Sequence, residues 1–349
     1  GYDVALIDAR IFPRDKVCGE YLNAAAIGEL ENLGFGELVE RGAPVESVRF
    51  SAFGATADIR LPRRARSIPR LILDNSIRTR AIQSGATPIT GRLRSIVSSG
   101  SGVELAADRD GETRTIRARY AVGADGMRSA VARLLDLSRP SSPSSFALGG
   151  HYATPSIRKT LEIYLSPDGY YALNPSGQDR ANVVWVLREG HLHRNARNLD
   201  RELARFSIEA SNGRRALGDM VPLETRRAVG PLAHRTRAFT CENTILTGDA
   251  AAFVDPFTGH GIFLALAGAR LASLALSSVL TNGHRRDAAW RSYERDLNEL
   301  ISGRKRLSWL VHSLVANRTL ALCAAQVWHK APIMLVPLIE AACGEPAFQ

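Results

Sequence analysis

One stretch decides the fold of this 349-residue chain: Asn243-Thr-Ile-Leu-Thr-Gly-Asp-Ala-Ala-Ala-Phe-Val-Asp-Pro-Phe-Thr-Gly-His-Gly-Ile262, which continues into the apolar run Phe263-Leu-Ala-Leu-Ala-Gly-Ala-Arg-Leu-Ala-Ser273. Thr244 to Leu246 predict a short buried strand, which is followed by a carboxylate at Asp249. A loop with a proline and two glycines then leads into a long apolar helix. Free N–H groups at a helix start attract anionic oxygens, so the stretch predicts a site for a polar, partly anionic ligand.

Two further apolar strands are also followed by acids. Gly1-Tyr-Asp-Val-Ala-Leu-Ile-Asp8 opens the chain, and Tyr120-Ala-Val-Gly-Ala-Asp-Gly126 lies further along it. In a dinucleotide-binding fold the second strand ends on an acid, which binds the adenosine ribose. The first strand and its G-x-G-x-x-G turn would come before that strand. We therefore expect the fold to include about 25–30 residues ahead of Gly1, the size of one strand–turn–helix unit.

Other segments alternate as antiparallel strands do. Glu46 to Leu61 predicts a hairpin around Phe53-Gly54, Pro88 to Arg119 a three-stranded meander, and Phe146 to Val186 a sheet with aromatic residues on one face. A Ser/Pro-rich run from Ser138 to Ser145 predicts a domain boundary. We assign residues 1–45, 68–140 and 236–300 to an α/β domain, 46–67 and 141–235 to an inserted antiparallel sheet domain, and 301–349 to C-terminal helices.

Four motifs resemble those of flavoproteins in the p-hydroxybenzoate hydroxylase and geranylgeranyl reductase superfamily. They are Gly248-Asp249, Asp125-Gly126 ahead of a helix, Lys16-x-Cys18-Gly19, and Arg70-Leu-Ile-Leu-Asp74. The resemblance spans the chain from its first strand onward. It implies a Rossmann-like FAD-binding domain, without its first strand and G-x-G-x-x-G turn, and an inserted sheet that covers the flavin and shapes the substrate cavity.

The resemblance also implies which residues hold FAD. Asp249 takes the ribitol, Gly259 to Ile262 line the pyrimidine edge of the ring, and Asp125 organises the loop near the pyrophosphate. The implied cofactor-binding set is Asp8, Arg14, Lys16, Gly19, Arg70, Leu93, Asp125, Gly126, Gly248, Asp249, Pro256, Gly259, His260, Gly261 and Ile262. For Arg70, an ion pair with Asp74 one helical turn away is an equally good interpretation. His260 stands where members of the superfamily often carry an acid, which puts a proton relay at that position in doubt.

Cys18 is the candidate catalytic residue. Its segment, Phe12-Pro-Arg-Asp-Lys-Val-Cys-Gly-Glu20, passes beside the flavin ring in the resembled family. A thiol before a glycine bend is soft and potentially acidic, although a small buried side chain at a turn would explain the same residue. The resemblance implies that N5 of reduced FAD delivers a hydride to one alkene carbon. An acid, either Cys18 or a tyrosine of the cavity, would protonate the neighbouring carbon.

These motifs predict an FAD-dependent oxidoreductase resembling geranylgeranyl reductases. It would reduce C=C bonds of an apolar isoprenoid or polyene-like substrate, with NAD(P)H or another reductant as electron donor. Lys16-x-Cys18-Gly19 favours this enzyme over an FAD-dependent monooxygenase of an aromatic or polyketide-like substrate, which needs a dry pocket. A non-catalytic flavin- or lipid-binding relative is the third hypothesis. The Gly248-Asp249 and Asp125-Gly126 motifs do not separate the three.

Composition narrows the setting of the protein. The net charge of +10 comes almost wholly from arginine, and no tract interleaves basic with aromatic residues, which argues against nucleic-acid binding. Four cysteines without a CxxC pattern predict free thiols in a cytoplasmic protein. His191 and His193 have no third ligand at suitable spacing, so no metal site is predicted.

The C-terminal third is rich in helical patterns. Gly261 to Leu280 is long enough to span a membrane, but Arg270 at its centre argues against a span. His284 to Leu307 predicts a charged amphipathic helix. Leu307 to Ala342 is apolar but interrupted by charges and prolines, which favours helices that close the substrate cavity. A peripheral contact with a membrane is the other interpretation of this segment.

Overall fold

The computed structural model of the chain describes residues 1–52, 55–140, 145–154, 158–166, 168–191, 198–211, 220–253, 256–281 and 285–316. Several sequence expectations lie outside the described residues. They are the turn at Phe53-Gly54, the middle of the boundary run at 141–144, His193, and residues 317–349 of the C-terminal segment.

Helices and strands mix along the described residues, as in an α/β chain. The helices are α1 (Ala24–Asn32), α2 (Gly36–Arg41), α3 (Arg70–Gln83), α4 (Ala130–Leu134), α5 (Leu199–Ser211), α6 (Gly261–Leu280) and α7 (Arg286–Ala316). The strands are β1 (Ala5–Asp8), β2 (Tyr21–Leu22), β3 (Ala43–Ala52), β4 (Ala55–Ser67), β5 (Thr87–Thr90), β6 (Arg92–Ser99), β7 (Gly102–Arg109), β8 (Glu112–Ala118), β9 (Ala121–Gly123), β10 (Ser138–Arg139), β11 (Ser145–Ala153), β12 (Thr160–Ser166), β13 (Gly169–Pro175), β14 (Arg180–Arg188), β15 (Val221–Pro222), β16 (Arg227–Val229), β17 (Arg235–Thr236), β18 (Thr240–Cys241) and β19 (Thr244–Leu246).

Nine strands form one large sheet, which is antiparallel at all but one of its described strand pairs. Its order is β15-β11-β14-β13-β12-β3-β4-β2, and β16 also pairs with β11. The parallel pair is β3 with β12, in which Val48 lies opposite Leu161. Strands from both segments assigned to the inserted domain therefore share one sheet, whereas the domain boundaries themselves stay predictions.

Both faces of this sheet bury apolar side chains, because successive residues of a strand point to opposite sides. In β14, Val184 belongs to one apolar cluster and Trp185 to another. Helix α5 covers the Trp185 side, where the indole Nε1 donates to Ser207 Oγ at 3.0 Å. On the Val184 side, Val17 and Phe257 pack against the cluster from outside the sheet. We call this second side the apolar face.

The strands that the sequence shows ending on or followed by acids, β1, β9 and β19, all form parallel pairs. β1 pairs with β5, and β9 pairs with β19, with Gly123 opposite Leu246. A Cβ at Gly123 would lie 2.7 Å from Leu246 Cδ2, so glycine permits the close approach of the two strands. Val122 of β9 is 45% exposed, although strands of a parallel sheet are ordinarily covered on both faces. The strand expected ahead of Gly1 stays a prediction.

Two predicted elements are confirmed, and one is corrected. The meander is formed by β6, β7 and β8, although its predicted first residues, Pro88 to Thr90, belong to β5 and pair with β1. The helix after Asp125-Gly126 begins at Ala130. The charged helix that we predict to end at Leu307 continues to Ala316, and it crosses the boundary predicted at residue 300. Residues 286–316 contain no proline, and their single glycine costs a helix only about 1 kcal/mol, so the sequence offers no stop at Leu307.

Helix α6 is the one helix of the described residues that is long and apolar enough to cross a membrane, judged by length and composition. It packs against α1 and α7. At its centre, Arg270 Nε lies 3.1 Å from both carboxylate oxygens of Glu29, a buried residue of α1. This ion pair ties α6 to α1 within the α/β part of the fold.

Candidate functional site

The loops after β9 and β19 lie at the carboxyl ends of adjacent parallel strands, where α/β sheets bind ligands. After β19, Gly248 has a φ of +58°, a left-handed conformation that favours glycine, and it opens a single 3-10 turn. Asp249 follows in this turn. Burial raises the pKa of Asp249, and the nearby charges of Lys16, Arg70 and His234 act in the opposite direction. The site therefore holds a carboxylate surrounded by basic groups.

Asp125 organises the loop after β9. Its Oδ1 accepts from Ser129 Oγ at 2.6 Å, and its Oδ2 accepts from the backbone N–H groups of Ala130 and Val131 at 2.6 and 3.2 Å. These bonds cap the start of α4. Gly126 has a φ of +82°, and a Cβ placed there would meet nothing within 4 Å. The loop thus exposes bare backbone beside open space.

The start of α6 is open to a ligand. Among the described residues, no side chain caps this helix, which begins at the exposed Gly261 after the buried His260. Gly259 has a φ of +67°, and a Cβ there would lie 2.9 Å from Tyr21 Cδ1. The Tyr21 ring therefore packs directly on the backbone ahead of the helix. This contact brings the segment that contains Cys18 to the helix start.

The backbone around Cys18 is held by side chains of the large sheet. Asn182 Nδ2 donates to the Cys18 carbonyl oxygen at 2.5 Å, and Asn174 Nδ2 donates to the Gly19 carbonyl oxygen at 2.8 Å. The Glu20 backbone N–H donates to Cys18 Sγ at 3.4 Å. These three contacts fix the position of the thiol, which is partly exposed.

Arg70 links Cys18 to Asp249. Its Nε and a terminal nitrogen donate to Asp74 Oδ1 and Oδ2, both at 2.8 Å, so the ion pair one helical turn apart is present. Burial lowers the pKa of Arg70, but the neighbouring Cys18 and Asp74 raise it by more. Its charge also acts on Asp249. The role of Arg70 as a cofactor contact stays a prediction.

Four other predicted residues have contacts of their own. Asp8, at the end of β1, pairs with Arg14 at 3.4 Å, and the Arg14 guanidinium lies 5.0 Å from the centre of the Phe12 ring. Leu93 packs half-buried against the main apolar cluster, and Pro256 is exposed in a 3-10 turn. The structure thus groups Lys16, Cys18, Arg70 and Asp249, while the roles of these other residues stay predictions.

Sequence reasoning misses a set of charged groups next to Cys18. The His151 imidazole lies 3.0 Å from Glu20 Oε2 and 2.8 Å from Glu224 Oε1. These groups and Cys18 line one cleft. Glu20 and Glu224 stand 131 and 73 residues from His151 in the sequence. No local spacing could therefore have connected them.

Comparisons with known proteins identify the class of ligand. A family model described as "FAD binding domain" matches residues 1–302. Menaquinone reductase of Mycolicibacterium smegmatis is 30% identical over 298 residues, which cover 80% of this chain and 71% of that protein. Digeranylgeranylglycerophospholipid reductase 1 of Methanothermobacter thermautotrophicus is 26% identical over 322 residues, 86% of this chain and 77% of that protein. The structure of the flavin-dependent brominase Bmp2 matches this chain with a TM-score of 0.82 at 18% identity. The matched residues cover 98% of this chain and 88% of the brominase chain.

The described residues fit FAD. Gly248 and Gly126 adopt left-handed conformations at the ends of adjacent parallel strands, and the space beside Gly126 is open. Asp249 offers a carboxylate that can accept hydrogen bonds from hydroxyl groups, and Lys16 offers a positive charge nearby. The uncapped start of α6 offers N–H groups to an anionic or carbonyl oxygen. A polyhydroxylated, partly anionic dinucleotide needs donor and acceptor groups of these kinds.

Proposed function

We propose that this chain, which belongs to the FAD binding domain family and is a flavin-dependent oxidoreductase, reduces carbon–carbon double bonds of an apolar, isoprenoid-like substrate. The observation that carries the proposal is the position of Cys18 between the helix start and the apolar face of the large sheet. The Tyr21 ring packs against Gly259 ahead of α6, and Val17 packs against the apolar face.

The apolar face suits a hydrocarbon chain. The Phe257 ring stands edge-on to the Tyr170 ring, and their centres are 5.4 Å apart. It is tilted against the Phe50 ring, whose centre is 6.2 Å away. Val17 joins these rings one residue before the thiol. Since an apolar chain gains free energy when such surfaces leave water, this face would bind the substrate and hold one of its double bonds near Cys18.

The names of the relatives agree with this substrate class. One is named for reducing menaquinone and another for reducing digeranylgeranylglycerophospholipids. Geranylgeranyl groups are isoprenoid chains with several double bonds. A substrate of this class would bind through apolar contacts, which the face around Phe257 offers.

The protein must supply the proton of such a reduction. Bound FAD supplies the two-electron chemistry. The thiol of Cys18 can donate a proton to the substrate carbon that faces it, because its position is fixed by Asn182 and by the Glu20 N–H group. The Arg70 guanidinium next to Cys18 would stabilise the negative charge left on the sulfur. The apolar face would orient the substrate and exclude water.

Two other functions remain as alternatives. A monooxygenase would use the same cofactor in a dry pocket. The solved structures that resemble the fold of this chain include a flavin-dependent brominase. Cys18 would have no proton to deliver there, and its thiol would be open to oxidation. A non-catalytic flavin- or lipid-binding protein would keep FAD but would show no turnover with any reductant.

Anaerobic stopped-flow measurements on Cys18→Ala and Cys18→Ser test the proposal. The bound flavin is reduced photochemically, so that the natural electron donor need not be known, and is then mixed with a polyprenyl substrate. Loss of a general acid should slow substrate-dependent reoxidation by about 10²–10⁴-fold. FAD affinity and the photoreduction yield should stay near those of the wild type.

Cys241→Ser is the matched control, because Cys241 is another free thiol, packed against the main apolar cluster. It should leave the reoxidation rate unchanged. A change of less than about threefold in Cys18→Ala, far below the general-acid range, would remove Cys18 from the mechanism. A different result would support the monooxygenase instead. In that case polyprenyl compounds would leave the wild-type flavin reduced, and oxygen would reoxidise it while a substrate is hydroxylated.

A further inference from the structure

A buried imidazole connects two carboxylates beside Cys18. His151, on β11, is 7% exposed. Its Nε2 lies 3.0 Å from Glu20 Oε2, and its Nδ1 lies 2.8 Å from Glu224 Oε1. Glu20 is 1% exposed, whereas the side chain of Glu224 is 24% exposed. The imidazole therefore joins an inner carboxylate to an outer one that reaches solvent.

Each carboxylate is fixed by a further hydrogen bond. Glu20 Oε1 accepts from the backbone N–H of Arg70 at 3.0 Å, and Glu224 Oε1 accepts from the backbone N–H of His151 at 3.1 Å. Glu20 also has a φ of +58°, a left-handed conformation that is uncommon outside glycine and clusters at functional sites. The fold therefore holds the Glu20 side chain against the imidazole despite a local conformational cost.

The surrounding charges keep the imidazole protonated. The hydrogen bond to Glu20 has the largest effect, and together with Glu224 it outweighs burial and raises the pKa of His151 to about 9. An imidazolium donates from both ring nitrogens, which matches the two carboxylate contacts. The other charged groups that line the cleft are Asp15, Lys16 and Arg227.

The cluster also has the composition of a metal site. Asp15, His151 and Glu224 present ligand atoms within 4.8 Å of one another. However, the Arg227 guanidinium donates to Glu224 Oε2 at 2.9 Å and to Asp15 Oδ2 at 3.1 Å. It therefore supplies the positive charge that a metal ion would bring, and both imidazole nitrogens already face carboxylates. These contacts favour a proton-carrying role over a metal site.

We propose that Glu224, His151 and Glu20 form a proton relay from solvent to the thiol of Cys18, an inference that rests on the proposed reduction. Glu20 and Cys18 line the same cleft, and the Glu20 N–H donates to Cys18 Sγ at 3.4 Å. His151 acts through Glu20 and Cys18 and touches no substrate, so it is a positioning residue.

The relay balances the proposed reaction. The double bond is reduced by a hydride that reduced FAD would supply at one carbon, with oxidation of the flavin, and by the proton of Cys18 Sγ at the other. The π bond and the S–H bond break, two C–H bonds form, and a thiolate is left at Cys18. The Glu20 carboxylate then takes a proton from His151 Nε2 and passes it to the thiolate. That transfer leaves His151 neutral with its remaining proton on Nδ1, so the ring must turn over to present the unprotonated nitrogen to Glu224, where it takes a proton from solvent. One proton leaves the solvent for each double bond reduced.

Proton uptake timed against flavin reoxidation tests the relay. The FAD-loaded full chain, photoreduced without oxygen, is mixed with a polyprenyl substrate in weak buffer that contains a pH indicator. In the wild type, proton uptake should keep pace with flavin reoxidation up to about pH 9, where His151 loses its proton. In His151→Gln, uptake should lag behind reoxidation by about 10²-fold, the lower end of the effect of losing an acid–base group.

Two further variants separate the relay from a structural role. His191→Gln is the matched control, because His191 is also buried between two carboxylates, Asp168 and Glu202, but packs against Phe206 on the α5 side of the sheet. His191→Gln should leave proton uptake synchronous with flavin reoxidation. Glu224→Gln, at the solvent-facing end, should also delay proton uptake, and it serves as the test if His151→Gln does not fold. Synchronous uptake with an unchanged pH profile in folded His151→Gln or Glu224→Gln would overturn the relay.

Histidine NMR on the full chain tests the relay without turnover. The signal that disappears in His151→Gln should titrate near pH 9 in the wild type and at a lower pH in Glu20→Gln. An ordinary titration near pH 6.5 would overturn the relay whether or not the protein is active. If no polyprenyl compound reoxidises the wild-type flavin, the proposed function fails, and the NMR titration alone then decides whether the charged imidazole bridge exists.

Discussion

At the scale of single residues, Asp249 is a buried carboxylate whose charged form works against folding. Burial raises the pKa of its carboxyl group, which means that the charged form is less stable in the folded protein than in the unfolded chain. Lys16, Arg70 and His234 offset part of this effect. A neutral side chain would suit the fold better, whereas the predicted contact with a ribitol needs a strong acceptor.

We therefore predict that Asp249→Asn is more stable than the wild type at pH 8 without cofactor but binds FAD more weakly. Asp249→Ala should lose about 1.5–3 kcal/mol of FAD binding, the value of a hydrogen bond to a charged group, and Asp249→Asn should lose less. Thermal unfolding and fluorescence titration with FAD measure the two effects. Asp136→Asn, at a side chain that is 91% exposed, is the control and should change neither. Wild-type affinity in Asp249→Ala would show that the ribitol binds elsewhere.

At the scale of elements, an ion pair joins α1 to the very apolar helix α6. α6 has the length and composition of a membrane-spanning helix, yet Arg270 at its centre points to Glu29 of α1. The Glu29 side chain is 3% exposed and that of Arg270 is 37% exposed. A buried carboxylate without its cation is costly, so this pair fixes the register of the two helices.

Glu29→Gln should lower the free energy of unfolding by about 1–3 kcal/mol, because a hydrogen bond to a charged group is lost at a buried position. Urea denaturation measures the change. Glu37→Gln removes a solvent-exposed i,i+4 pair with Arg41 and should stay within about 0.5 kcal/mol of the wild type. Equal effects of the two substitutions would contradict a special role for the buried pair.

At the scale of the whole molecule, the His151 bridge holds distant parts of the chain together. Glu20 precedes β2, His151 lies on β11, and Glu224 lies between β15 and β16. The folded pKa of His151, about 9, lies above the ordinary value of 6.5. Its contribution to stability is therefore fully present below pH 6.5, and it is lost as the pH rises through about 9.

The wild type should accordingly lose up to about 3 kcal/mol of unfolding free energy between pH 6 and pH 9.5 through this one group, since a pKa unit corresponds to about 1.4 kcal/mol. Because Glu224 is partly exposed, solvent screens its interaction with His151, so the measured loss of unfolding free energy should fall below that limit. His151→Gln should lack this part of the pH dependence. Urea denaturation of both proteins at the two pH values gives the difference, and parallel pH dependences would contradict the bridge.

The amino-acid sequence alone determined the local elements of the fold. Polar turns between alternating runs specify the meander of β6, β7 and β8, and a strand followed by Asp125-Gly126 specifies the start of α4. Propensity and periodicity act over a few residues, so these elements are visible in the sequence. The end of α7 was not visible, because an interior glycine in a helix is only a weak stop signal.

Only the tertiary structure decided which distant residues meet. β3 lies parallel to β12, where the Ser47 and Thr160 hydroxyl groups, 113 residues apart, are within 2.8 Å. The same sheet places His151 between Glu20 and Glu224. Strand pairing across such separations depends on burial of whole faces, a property that no short segment carries. The motifs therefore predicted an FAD-binding fold, whereas the charged groups around His151 became visible only in the folded chain.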